Sequence, residues 1–144
     1  MSGRQHARDR VTGDRSRFSA HYPAITESPA LARAAVLAFA RRHRASSRLQ
    51  GALALAVSEA VTNVVVHAYR DSTDPGSVVV KATVAADDLV VTVADSGSGL
   101  RARDDSPGLG LGLAIIAESA DGIDLRQVAG GGLELTMRFS LATV

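Results

Sequence analysis

Glu59 and Asn63 stand four residues apart in "AVSEAVTNVVVHAYRD", residues 56–71, inside an otherwise apolar run. On an α-helix, positions i and i+4 lie one above the other, so the carboxylate and the carboxamide project from one face, flanked by Ser58 and Thr62. A carboxylate beside an amide oxygen suits a hard cation that keeps part of its water shell, and Mg²⁺ takes one or two such ligands together with substrate phosphates. The plain alternative is the solvent side of an amphipathic helix, where Glu is at home. Against it, Asn is a poor helix former, and no Lys or Arg continues the strip as an exposed ion-pair pattern would.

Two further stretches carry chemistry. In "VADSGSGL", residues 93–100, Asp95 closes a β-branched run and is followed by Gly97 and Gly99. That pattern lets backbone approach a planar ligand while the carboxylate accepts a hydrogen bond, for example from the exocyclic amine of a purine. It also reads as an ordinary Asp-Ser-Gly turn. In "SPGLGLGLAII", residues 106–116, Gly108, Gly110 and Gly112 lead into a helix, offering backbone N–H groups and the positive dipole end to a phosphate. The spacing is not G-x-G-x-x-G, and no Lys follows the glycines as in a Walker loop. A flexible linker is the alternative, although Leu109, Leu111 and Leu113 interleave the glycines as packing residues.

The elements that must hold these residues follow from periodicity. Residues 1–14 are polar and aperiodic and are expected to form a disordered tail, with one domain over residues 15–144. "SRFSAHYPA" alternates as an edge strand ending at Pro23, and Ser28 with Pro29 marks a helix start of cap and first-turn type. Leu31, Ala35, Leu37, Ala38 and Phe39 carry that helix to about Arg44. A second, longer helix runs from the Ser46–Ser47 pair to near Tyr69, with Leu49, Leu53, Val57, Val61 and Val64 on its apolar face and one early glycine, Gly51. After the turn "DSTDPGS", two β-branched runs around Ala-Asp-Asp form an antiparallel hairpin whose second strand stops at Asp95. Residues 96–110 read as a loop, "LGLAIIAESA" as a helix, and the remainder as two strands joined at Gly130–Gly132. The order β, α, α, β, β, loop, α, β, β gives an α+β, two-layer fold: a mixed, mostly antiparallel sheet with helices on one face.

Composition narrows the function classes. The 144 residues fit one domain, and 46% are hydrophobic, enough for a core. Without cysteine there are no disulfides and no thiolate metal site, and a cytoplasmic location is the simpler expectation. The start lacks the apolar core of a signal peptide, and no apolar run is expected to reach bilayer-spanning length. Net charge is +1, but Arg4, Arg8, Arg10, Arg15 and Arg17 crowd the start and Arg41, Arg42, Arg44 and Arg48 form a second group. Asp9 and Asp14 interrupt the first group and no aromatic stacking set accompanies it, so a solvated tail is preferred to a nucleic-acid arm. The second sits at an expected helix C-terminus, where cations complement the dipole.

Taken together and in this order, Glu-x-x-x-Asn on a helix, Asp-x-Gly-x-Gly after a strand and Gly-x-Gly-x-Gly entering a helix resemble the GHKL ATPases, which have the Bergerat fold. The resemblance covers nearly everything after residue 15. Within that superfamily "AVSEAVTNVVVHAY" and the short length look like the bacterial anti-sigma-factor serine kinases of partner switches. The resemblance implies ATP and Mg²⁺ as cofactors, with Asn63 as the metal ligand and Asp95 on the adenine amino group. It implies that Gly97 and Gly99 shape the adenine side and hinge a lid, that Gly108, Gly110 and Gly112 cradle phosphates, and that Glu59 is the general base. The implied partners are a STAS-type anti-sigma-factor antagonist, phosphorylated on serine, and a sigma factor. No direct nucleic-acid or membrane contact is implied, and homodimerisation is carried over from relatives. A non-catalytic regulatory module of the same fold is the alternative. The sequence departs from the family pattern in its short Gly99–Gly108 lid and in having Ser106 and Pro107 where an Arg is common, with Arg101 and Arg103 nearby. It also has Leu133 where a Thr is usual, and Thr136 lies at the opposite strand parity.

Overall fold

A computed structural model describes residues 14–69, 76–96, 107–128 and 131–142, the first turn of the last helix by its backbone alone. Residues 1–13 of the expected tail, and Gly97, Gly99, Arg101, Arg103 and Ser106, therefore lie outside the described residues.

Strict alternation builds the strands. In β1 (Arg17–Pro23) Phe18, Ala20 and Tyr22 are buried; in β2 (Ser77–Ala85) Val78, Val80 and Ala82; in β3 (Asp88–Asp95) Leu89, Val91, Val93 and Asp95; in β5 (Leu133–Ser140) Leu133, Leu135, Met137 and Phe139. A period of two puts each set on one face. The sheet order is β1-β2-β3-β5-β4, β4 being Gly122–Gln127, and every described pairing is antiparallel. The register aligns the inward residues in rows, as in Ala20↔Val80, Val80↔Val93 and Val93↔Leu135. β1 is an edge strand that stops at Pro23, which cannot donate to a ladder.

Three helices cover that face, as the α+β expectation requires. α1 (Ser28–Arg42) buries Ala32, Val36, Phe39 and Ala40, a stripe at helical spacing, and turns Leu31 outward. Ser28 does not cap it. The N-cap position is Glu27, and the buried Ser28 hydroxyl donates instead to the Pro23 carbonyl, tying the helix start to the end of β1. α2 (Ser47–Asn63) is capped by Ser46, whose side chain accepts from the Leu49 N–H at 3.1 Å. It buries Leu53, Ala56, Val57, Ala60 and Val61 and continues as a π-helical turn over Val64–Ala68, ending at Tyr69 as expected. Three successive valines, Val64 to Val66, crowd that turn, and such single π turns recur beside functional sites.

Ser47–Ala68 is 22 residues long with a window of mean hydropathy 1.5, so by length and composition it does reach bilayer-spanning values, against the expectation. In this fold its apolar stripe is spent on the sheet and on α1 and α3, and Ser58, Glu59 and Asn63 interrupt the run.

α3 (Pro107–Ser119) begins earlier than the loop reading allowed, within the glycine run. Pro107 explains this: its fixed φ suits the first helical position, where its missing N–H costs nothing.

Candidate functional site

Asn63, Asp95 and Gly112 meet at one end of the molecule. A cleft enclosing about 350 Å³, its solvent mouth included, opens between the last turn of α2, the start of α3 and the ends of β3 and β5. Asn63 and Asp95 line it together with apolar walls from Val93, Leu113, Leu133 and Leu135. A few polar groups set in an apolar cleft is the usual form of a small-ligand pocket.

Each polar residue arrives there for a local reason. Asp95 sits at inward parity, in the row Tyr22↔Val78↔Asp95, so strand alternation turns its carboxylate toward the helix-covered face and buries it to 6% exposure. Asn63 is the last α-helical residue of α2, half-buried, and Glu59 lies one turn before it, also half-buried. Ser58 is held by Arg33 of α1, whose Nη1 donates to its Oγ at 3.0 Å. The polar strip is thus met by a cation from the neighbouring helix, not from its own.

Gly112 has a role the sequence did not disclose. A Cβ there would stand 2.9 Å from Asn63 Nδ2 and 3.0 Å from Oδ1, closer than side chains pack. The absent side chain is the seat of the carboxamide. Gly112 is the sixth residue of α3, past the four that lack an intrahelical acceptor, so it contributes space rather than a free N–H. Gly108 falls in the first turn, where unpaired N–H groups and the positive dipole end belong, and Gly110 closes that turn.

Three residues outside the sequence-derived set shape the site. Leu133 lines the cleft in the row next to Asp95, whereas Thr136 pairs with Thr92 and Asp124 on the other face, as its parity predicts. Tyr69 sends its hydroxyl to Ser77 and Ser96 at the end of β3. Gly132, at φ +94°, lies so close over Asp95 that a Cβ would collide with the Asp95 carbonyl oxygen. A Tyr closing a helix just before a Pro-Gly turn, and glycines at a hairpin, were the available signals; their partners lie far along the chain.

An open antiparallel sheet with helices on one face, and a cleft between α2, α3 and the ends of β3 and β5, are the architecture of a histidine kinase-like ATPase domain. The family of that description matches residues 22–139, and the chain belongs to it. Among similar proteins, the anti-sigma F factor of Pasteuria penetrans is 28% identical over 134 residues, spanning 85% of this chain and 89% of that protein. The anti-sigma F factor of Clostridium beijerinckii is 25% identical over 134 residues, spanning 85% and 93%. The crystal structure of the RsbU and RsbW domains of Rv1364c from Mycobacterium tuberculosis superposes with a TM-score of 0.68 at 22% identity, over 88% of this chain and 33% of that one, a likeness of fold.

Proposed function

We propose that this chain is an ATP-dependent protein serine kinase of the anti-sigma-factor type. It phosphorylates a STAS-type anti-sigma-factor antagonist and binds a sigma factor, so that the two partners exchange on it in the cytoplasm. One observation carries the reading: Asn63 and Asp95 line a single cleft, with Glu59 one helical turn from Asn63. The anti-sigma F factors, matched along most of their length, support the partner assignment.

The residues present fit a magnesium nucleotide. Among the described residues no group of three or more His, Asp or Glu could hold a metal ion. A magnesium ion would be held by Asn63, seated in the space that Gly112 leaves, with phosphate oxygens and water completing its shell. Bound Mg-ATP supplies the transferable phosphoryl group and neutralises charge as it moves.

The chain supplies orientation and proton transfer. Asp95 would accept a hydrogen bond from the exocyclic amine of adenine, and Val93, Leu113 and Leu133, which line the cleft, would keep water from the base. Gly108 and Gly110 would offer backbone to the phosphates; the resemblance assigns the adenine side to Gly97 and Gly99. Glu59 would accept the proton of the antagonist's serine hydroxyl, the group to which bound Mg-ATP would supply its phosphoryl group.

The test measures ATP binding and phosphate transfer to candidate antagonists for the wild type, Glu59→Gln and Asn63→Ala. The reading requires that the first keep nucleotide and lose transfer, and that the second lose Mg-ATP affinity. Leu133 in the cleft favours a second reading, a regulatory module without catalysis. A wild type that binds ATP yet phosphorylates none of the candidates would establish that one instead.

A further inference from the structure

Tyr69 follows Asn63 by six residues and ends the same helix. Its hydroxyl donates to the Ser77 carbonyl at 2.6 Å and accepts from the Ser96 backbone N–H at 3.1 Å, with Ser96 Oγ at 3.2 Å. The register Val78↔Asp95 carries Ser77 opposite Ser96, so one phenol oxygen bridges the two strands at the rung just beyond the described ladder.

The ring is fixed as firmly as the hydroxyl. Gly76, at φ +68°, lies against it so closely that a Cβ would fall into the Tyr69 ring. The Gly132 backbone also packs on the Asp95–Ser96 peptide, its missing Cβ lying 3.1 Å from the Ser96 Cα and against the Asp95 carbonyl. The peptide is thus held by a hydroxyl and packed on by a glycine. Asp95 is the last residue of its strand, and a hydrogen bond from a base edge to its carboxylate depends on direction.

We infer that Tyr69 is a positioning residue for base recognition. Its hydroxyl fixes the Asp95–Ser96 peptide, and thereby the direction of the Asp95 carboxylate, so that a base with an exocyclic amine is preferred to one presenting a carbonyl there. This rests on the reading of the cleft as a nucleotide site with Asp95 facing the base.

The experiment has a nucleotide-free arm and a binding arm. By NMR hydrogen exchange, the wild-type Ser96 amide is protected, and in Tyr69→Phe, which keeps the ring on Gly76, it exchanges about tenfold faster or more. By calorimetry with magnesium present, Tyr69→Phe loses about tenfold in ATP affinity, keeps its affinity for inorganic triphosphate and narrows the ATP-to-GTP ratio. An unprotected Ser96 amide in the wild type would overturn the role of Tyr69 whatever the variant does. So would a Tyr69→Phe protein with an unchanged ATP-to-GTP ratio. A wild type that protects Ser96 but binds no ATP would instead remove the nucleotide reading and, with it, the base preference.

Discussion

Glu59 and Asn63 share a helix face but have different consequences when lost. Glu59 is half-buried beside Ser58, which Arg33 already holds, so Glu59→Gln keeps the shape and removes only the proton acceptor. Phosphate transfer from bound ATP to an antagonist serine should fall by about 10²–10⁴, the usual contribution of a general base, with ATP affinity unchanged in a filter or calorimetric assay. Gly112 offers a sharper separation of effects. Gly112→Ala puts a methyl group 2.9 Å from a side-chain amide that can swing aside, so the fold tolerates it, and alanine's higher helix propensity favours the helix by about 0.5–1 kcal/mol. The displaced carboxamide is the proposed metal ligand. Chemical denaturation should therefore show a chain as stable as the wild type or more so, while titration shows Mg-ATP bound more weakly. A variant both stable and fully competent in binding would remove Asn63 from the site.

The elements follow from period and parity, and their glycines divide into two kinds. Gly51 is exposed near the start of α2 with nothing near its absent Cβ, so Gly51→Ala should stabilise the chain by roughly 0.4–1 kcal/mol in urea unfolding. Gly132 combines φ +94° with the Asp95 carbonyl in the way, and Gly132→Ala should cost about 1–3 kcal/mol in the same measurement. β1, β3 and β5 and most of β2 were legible because burial alternates along them, whereas β4 is exposed nearly throughout. That alternation also delivered Asp95 to the inward face and Thr136 to the other. α2 was legible from Leu53, Val57 and Val61 at helical spacing. The start of α3 was not, because three glycines in five residues are poor helix formers and only Pro107, together with packing on α2, reverses that preference. Nor was the Tyr69 bridge, since Ser96 lies 27 residues away and is brought near only by hairpin register. Arg33 was missed for the same reason: it reaches the polar strip from another helix, 25 residues earlier.

At the scale of the whole molecule the cleft lies where parts from the two halves of the chain meet. The N-terminal half contributes α2 with Asn63, and the C-terminal half contributes α3, β5 and, through Gly132, the cover over Asp95. A ligand bridging them binds only the folded chain, so it must stabilise folding by RT ln(1 + [L]/Kd), about 2.7 kcal/mol when free ligand is a hundredfold above Kd. For a domain of this size each kcal/mol raises Tm by roughly 2–4 °C, so saturating Mg-ATP should raise the melting temperature by about 5–11 °C. Chelating the magnesium with EDTA at constant ATP should remove most of that shift in the wild type. The Asn63→Ala chain, lacking the amide ligand, should show a small shift that EDTA barely changes. Scanning calorimetry of the four combinations of metal and variant measures the coupling between Asn63 and the ion as a double-difference cycle. If EDTA lowers the ATP-induced shift equally in both chains, the ion is held without Asn63, and the cleft recognises the nucleotide by its base and walls alone.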